Sequence, residues 1–131
     1  MKKRWLETVT WGIVEETNRL LCIPNKAFHG STSDGHGPTK SLWSAHYRNE
    51  MHLIEAIELC RRCHRLAPFC NYNGNTFTAI MRQQLATIQL PSDQIALLRS
   101  LAGHVIAGVA TPEEEADLRK TIQQLFPNQQ S

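Results

Sequence analysis

The chain has 131 residues, 41% of them hydrophobic and 20% charged. That is enough to bury a core without a disulfide or metal staple, and it argues against extended disorder. A net charge of +2 is too small to announce a nucleic-acid binder by itself, and no run of about 18 apolar residues is present to span a bilayer.

The start, "MKKRWLETVTWGIVEETNRLL", has basic residues ahead of apolar ones, as a secretory signal does. Glu7, Thr8 and Thr10 interrupt the apolar stretch, Glu15 and Glu16 follow, and no small-residue cleavage site appears. The expectation is a cytoplasmic protein. The segment Arg4 to Cys22 instead places Val9, Ile13, Thr17 and Leu20 on one stripe, with Leu6 and Leu21 beside it, which predicts an amphipathic helix.

Pro24 to Lys40 is rich in glycine, proline and turn formers and reads as one long loop that carries His29 and His36. Ser41 can cap a second helix running to the residue before Pro68. Two apolar stripes lie on it, Trp43, Tyr47, Met51 and Ile54 on one and Leu53, Ile57 and Cys60 on the other. This predicts a central position in the fold.

A third helix is expected from Phe77 to Leu90, capped by Asn75 or Thr76, and a fourth is capped by Ser92 with Ile95, Leu98, Leu101, Val105 and Val109 recurring along it. Its small residues Ala96, Ser100, Gly103 and Ala107 form a stripe that lets another backbone come close, within the chain or across a dimer axis. Thr111, Pro112 and Glu114 spell a capped start for the last helix, which uses Leu118, Ile122 and Leu125. No region alternates with period two and no internal repeat is present. The expected fold is therefore all-α: a single domain over 1–131, a bundle of four to five helices with one long Gly- and His-containing loop at 24–40 and a polar tail at 127–131.

Three of the four cysteines fall within Glu58 to Cys70, "ELCRRCHRLAPFC". In a reducing compartment they stay as thiols, ligate metal or do chemistry. Cys60-Arg61-Arg62-Cys63-His64 matches the pattern for covalent haem, but that attachment belongs to exported proteins, so a haem cofactor is disfavoured. Zinc fits the residue types better, with Cys60, Cys63 and His64 within one turn and Cys70 folding back as a fourth ligand. Against it, zinc pairs sit in tight turns rather than mid-helix, and free cysteines are commonly buried as small core residues.

Five of the six histidines lie between residues 29 and 64. Glu50 shares a helix face with His46, and Glu55 shares one with His52. Either pair suits a divalent ion or proton transfer, with the loop histidines and Asp34 above it. Residues 59 to 90 carry Arg61, Arg62, Arg65 and Arg82 and no acid, a group that suits the phosphates of a nucleic acid or an acidic protein partner.

No complete catalytic set is assembled by these motifs. The leading expectation is a small soluble accessory or adaptor module that acts by binding a protein or itself. A metal-binding helical protein with hydrolytic chemistry, and a nucleic-acid-associated subunit that uses the arginines, are the alternatives.

Overall fold

The computed structural model describes residues 2–127, so the expected tail beyond Pro127 lies outside the described residues. Among the described residues there are six α-helices and no strand: α1 Trp11–Cys22, α2 His36–His46, α3 Leu53–Leu66, α4 Asn73–Leu85, α5 Ser92–Ala107 and α6 Pro112–Leu125. The all-α expectation holds. Among the described residues, no helix is long and apolar enough to cross a membrane.

The count exceeds four to five because the long second helix is two helices. The chain turns at Tyr47 to Asn49, and Met51 runs extended against Lys3, each backbone N–H donating to the other's carbonyl at 2.9–3.0 Å. Helix α3 then restarts at Leu53, where the Glu55 carboxylate accepts the His52 backbone N–H at 2.9 Å. Glu55 three residues past His52 is thus the acidic half of a helix start. At the other end α2 takes in His36 to Lys40, so the loop expected over 24–40 ends at Gly35.

The first helix is also shorter than expected. Lys3 is committed to Met51, residues 5–8 form turns, and Thr10 caps α1, its hydroxyl oxygen accepting from Ile13 N–H at 3.3 Å. Its buried face is Trp11, Val14, Asn18 and Cys22, while Ile13 and Leu20 of the expected stripe are exposed. Asn18 sets that rotation: its amide donates to the Asn71 carbonyl at 2.8 Å and to the Thr76 hydroxyl at 3.1 Å. A buried amide must be paired, and the helix turns to pair it.

Helix α3 packs on α2, α4, α5 and α6, and it contributes Leu53, Ala56, Ile57, Leu59, Cys60 and Cys63 to a continuous core with Trp43, Phe77 and Leu98. The fully buried Trp43 donates its indole N–H to the Val9 carbonyl at 2.8 Å, tying the amino-terminal segment to α2. Ala67, in the left-handed conformation before Pro68, ends α3. A second single-residue bridge, Ser31 to Phe69, fastens the first loop to the chain beyond that stop.

Helix α6 starts as its sequence indicates. The Thr111 hydroxyl accepts from Glu114 N–H at 3.1 Å and the Glu114 carboxylate accepts from Thr111 N–H at 3.1 Å, with Pro112 opening the helix. Helices α4 and α5, joined by residues 86–91, form the most extensive helix pair.

Candidate functional site

Between α4 and α5, with His64 of α3 at one end, lies an open groove of about 1010 Å³. Its wall on α4 is Gly74, Thr78 and Arg82, spaced by four residues and so on one face. Its wall on α5 is Arg99, Gly103, His104 and Ala107. Gly103 and Ala107 belong to the small-residue stripe read from the sequence. The close neighbour at Gly103 is a side chain rather than a backbone: the Arg82 guanidinium lies across it, with Nε donating to the Arg99 carbonyl at 3.2 Å.

No aspartate or glutamate lines this groove, whereas two arginines and two histidines do. Each histidine is held by one nitrogen. His64 donates from Nδ1 to the Ile106 carbonyl at 2.7 Å, because a carbonyl can only accept. His104 Nδ1 meets Glu114 Oε2 at 2.5 Å, and Glu114 is itself fixed by the cap of α6. The hydrogen bond from His104, with help from Thr111, holds the Glu114 carboxyl below the usual carboxylate value. The carboxylate therefore sits behind His104 as its ionised partner.

At its amino end α4 has no side-chain cap. Tyr72 stands there in the left-handed conformation (φ 59°, ψ 33°), and Asn75 does not serve as cap. Thr76 turns its hydroxyl to the Tyr72 carbonyl at 2.7 Å. The N–H groups of Asn73, Gly74 and Asn75 have no acceptor among the described residues, so the positive end of the helix dipole opens into the groove.

The residues singled out in the sequence scatter. Cys60 and Cys63 are buried in the core, where burial pushes the Cys60 thiol well up and the Cys63 thiol up to about 12. His64 faces the groove instead. Cys70 is exposed beside the first loop, its N–H donating to the Gly30 carbonyl at 2.9 Å and its thiol 3.9 Å from the Ser31 carbonyl. The four are not brought together. Among the described residues, no group of three or more His, Cys, Asp or Glu side chains is placed to hold a metal ion.

His46 and Glu50 share a second groove of about 490 Å³ with Glu55, Glu58, Arg62 and Arg119. There Glu50 pairs with Arg4 at 3.4 Å and His46 Nδ1 lies 3.4 Å from the Asn49 amide. His52 is buried at the start of α3, His29 lies in the first loop, and His36 faces Glu15 at 3.6 Å and the rings of Trp11 and Phe69. The loop histidines and Asp34 contribute nothing to the walls of that groove.

The four arginines divide as well. Arg61 pairs with Glu115 at 3.1 Å and Glu58 at 3.6 Å, Arg62 lies among the acids of the second groove, and Arg65 is exposed. Arg82 alone reaches the large groove. Its companions there, Arg99, His104, Thr78 and Tyr72, were not singled out in the sequence. Their assembly depends on how α4 meets α5, and the only local sign of it was the small stripe. No protein-family model matches the chain, and neither a curated protein nor a solved structure does.

Proposed function

We propose that the chain is a non-enzymatic helical accessory module that acts by binding a protein partner, and that the groove between α4 and α5 receives an acidic segment of that partner. The observation that carries this reading is the charge of the groove: Arg82 and Arg99 line it and no carboxylate does, the nearest, Glu114, lying behind His104 as its partner. Positive potential concentrated in a concave surface attracts an acidic ligand and speeds its arrival. The volume, at the upper end for small-molecule sites of roughly 300 to 1,000 Å³, and the open form favour an extended chain over a compact ligand. The other arginines are poorer candidates, because Arg61 and Arg62 already face glutamates.

The test is a titration of isotope-labelled protein with a hexaglutamate peptide, read by amide chemical shifts, against a single-stranded oligonucleotide of equal charge. Perturbations should concentrate on Arg82, Arg99, Gly103 and His104, and R82E/R99E should weaken binding at least tenfold, about 1.4 kcal/mol. A much tighter oligonucleotide complex with a steep salt dependence would move the reading to nucleic acid. Perturbations confined to other faces would remove the groove from consideration.

A further inference from the structure

We infer that the protein pairs with a second copy of itself across the outer face of α5, each chain presenting Glu113 and Asp117 of α6 to the groove of the other. The inference rests on the reading of the groove as a receptor for an acidic segment, and it names that segment.

The occupant follows from the charges on either side of α5. On one side is the groove, where Arg82 and Arg99 pair with no carboxylate among the described residues. On the other is α6, whose acids divide by helical position. Glu114 meets α5 through His104 and completes the cap with Thr111. Glu115 turns to α3, where it pairs with Arg61 and lines a small pocket with Ile54 and Arg119. Asp117 follows Glu114 by three residues and Glu113 by four, which puts Glu113 and Asp117 on the flank of α6 nearer His104 and away from α3. Both are exposed and take part in no ion pair among the described residues. An acid in the first turn suits the helix dipole, which accounts for Glu113, but Asp117 stands in the second turn, where that benefit has faded. Lys120, three residues further on, ends the acidic stretch.

His104 joins the two halves, since it lines the groove and touches Glu114. Between them runs the outer ridge of α5, with Ala96, Leu97 and Ser100 exposed and Ala107 half-buried. Leu97, two turns before His104 on the same face, is 52% exposed. Its small neighbours let the same ridge of a second copy come close, and that contact would cover Leu97.

A basic half and an acidic half on one face make a self-complementary patch. A twofold rotation about an axis through the ridge sets each groove against the other chain's Glu113 and Asp117, so both contacts form together and the assembly closes as a dimer. A foreign acidic segment would use one half only. The net charge of +2 puts little overall repulsion between copies.

The experiment is sedimentation equilibrium of the full chain from micromolar to millimolar concentration, at low and high salt, with the variants R82E/R99E and E113R/D117R. The parent is expected to dimerise, and salt to weaken the dimer by screening exposed charges. Each variant alone should dimerise at least tenfold more weakly, because its groove and its acidic flank then carry one sign. An equimolar mixture of the two should dimerise again, since every groove then faces a flank of opposite charge, and that recovery also shows that both variants are folded. A parent that stays monomeric, a dimer indifferent to salt, a dimer that survives in either variant, or a mixture that stays monomeric overturns the pairing. In any of these events the hexaglutamate titration decides the groove separately: perturbation of Arg82 and Arg99 leaves that reading standing alone, and its absence removes both.

Discussion

The guanidinium of Arg82 lies across Gly103, whose missing side chain makes room for it: a Cβ on that glycine would stand 2.9 Å from Cζ and 3.0 Å from Nε. The one charged group that joins α4 to the opposite wall of the groove is thus held in place by an absence.

G103A should therefore separate stability from binding. The atoms it meets are the far end of a flexible side chain, which can swing away, and alanine is the better helix former by about 1 kcal/mol. Urea denaturation should show a change within about 1 kcal/mol, while affinity for an acidic peptide falls at least fivefold. G35A is the control of opposite character. Its Cβ would stand 2.8 Å from the Ala67 carbonyl carbon and closer still to the carbonyl oxygens of Leu66 and Ala67, which are backbone and cannot swing aside. A loss of about 1–3 kcal/mol or more is expected there. Equal losses in both variants would contradict the packing described for Arg82.

Thiol chemistry should single out one cysteine. Cys22, Cys60 and Cys63 are buried, and burial raises all three thiols, Cys63 to about 12. The thiolate is the reactive form, so these three should react with a disulfide reagent at mildly alkaline pH only as the protein unfolds. Cys70 is exposed. The native chain should show one fast-reacting thiol that C70S removes; a fast phase that persists in C70S would contradict the burial of the other three.

Acid should act partly through Glu114. Its folded pKa lies below the usual 4.5 because His104 and Thr111 hydrogen bond to the ionised form. A depressed carboxylate contributes stability that is fully present above its unfolded value and is lost as pH falls through its folded one. E114Q should be less stable than the parent at neutral pH and lose less on acidification just below pH 4.5. Glu16, lowered by its hydrogen bond with Arg19, leaves a residual slope in both proteins. Parallel curves for parent and variant from about pH 3 to 7 would show that the pair with His104 contributes nothing.

The helical content was legible because its signals are local. Thr111, Pro112 and Glu114 predicted the start of α6 from residue types alone, and the apolar spacing of Leu98, Leu101 and Val105 marked the inner face of α5. The break between α2 and α3 was not legible, because neither proline nor glycine marks it. It exists where Met51 pairs with Lys3, and the one local hint was Glu55 standing three residues past His52. The rotation of α1 was hidden for a similar reason: its pivot Asn18 is polar, and its partners Asn71 and Thr76 are more than fifty residues away. Of the candidate site, His64 and Arg82 stood out in the sequence, but for motifs that the fold takes apart. His104 and Glu114, ten residues apart on different helices, gave no signal before α5 and α6 were packed.

The two single-residue bridges carry a consequence for synthesis. Lys3 and Ser31 leave the ribosome long before Met51 and Phe69, the partners that fasten them. Helix α1 must likewise wait for α4, which supplies Thr76, a partner of Asn18. At roughly 5 to 20 residues per second, Trp5, Leu6, Val9 and Trp11 remain uncovered for seconds on the nascent chain, whereas α4 and α5 can pair once both have emerged. The segment up to α1 is made before the middle of the chain and settles only after that middle has been built, so during synthesis it stays open to chaperones and proteases longer than α4 and α5 do.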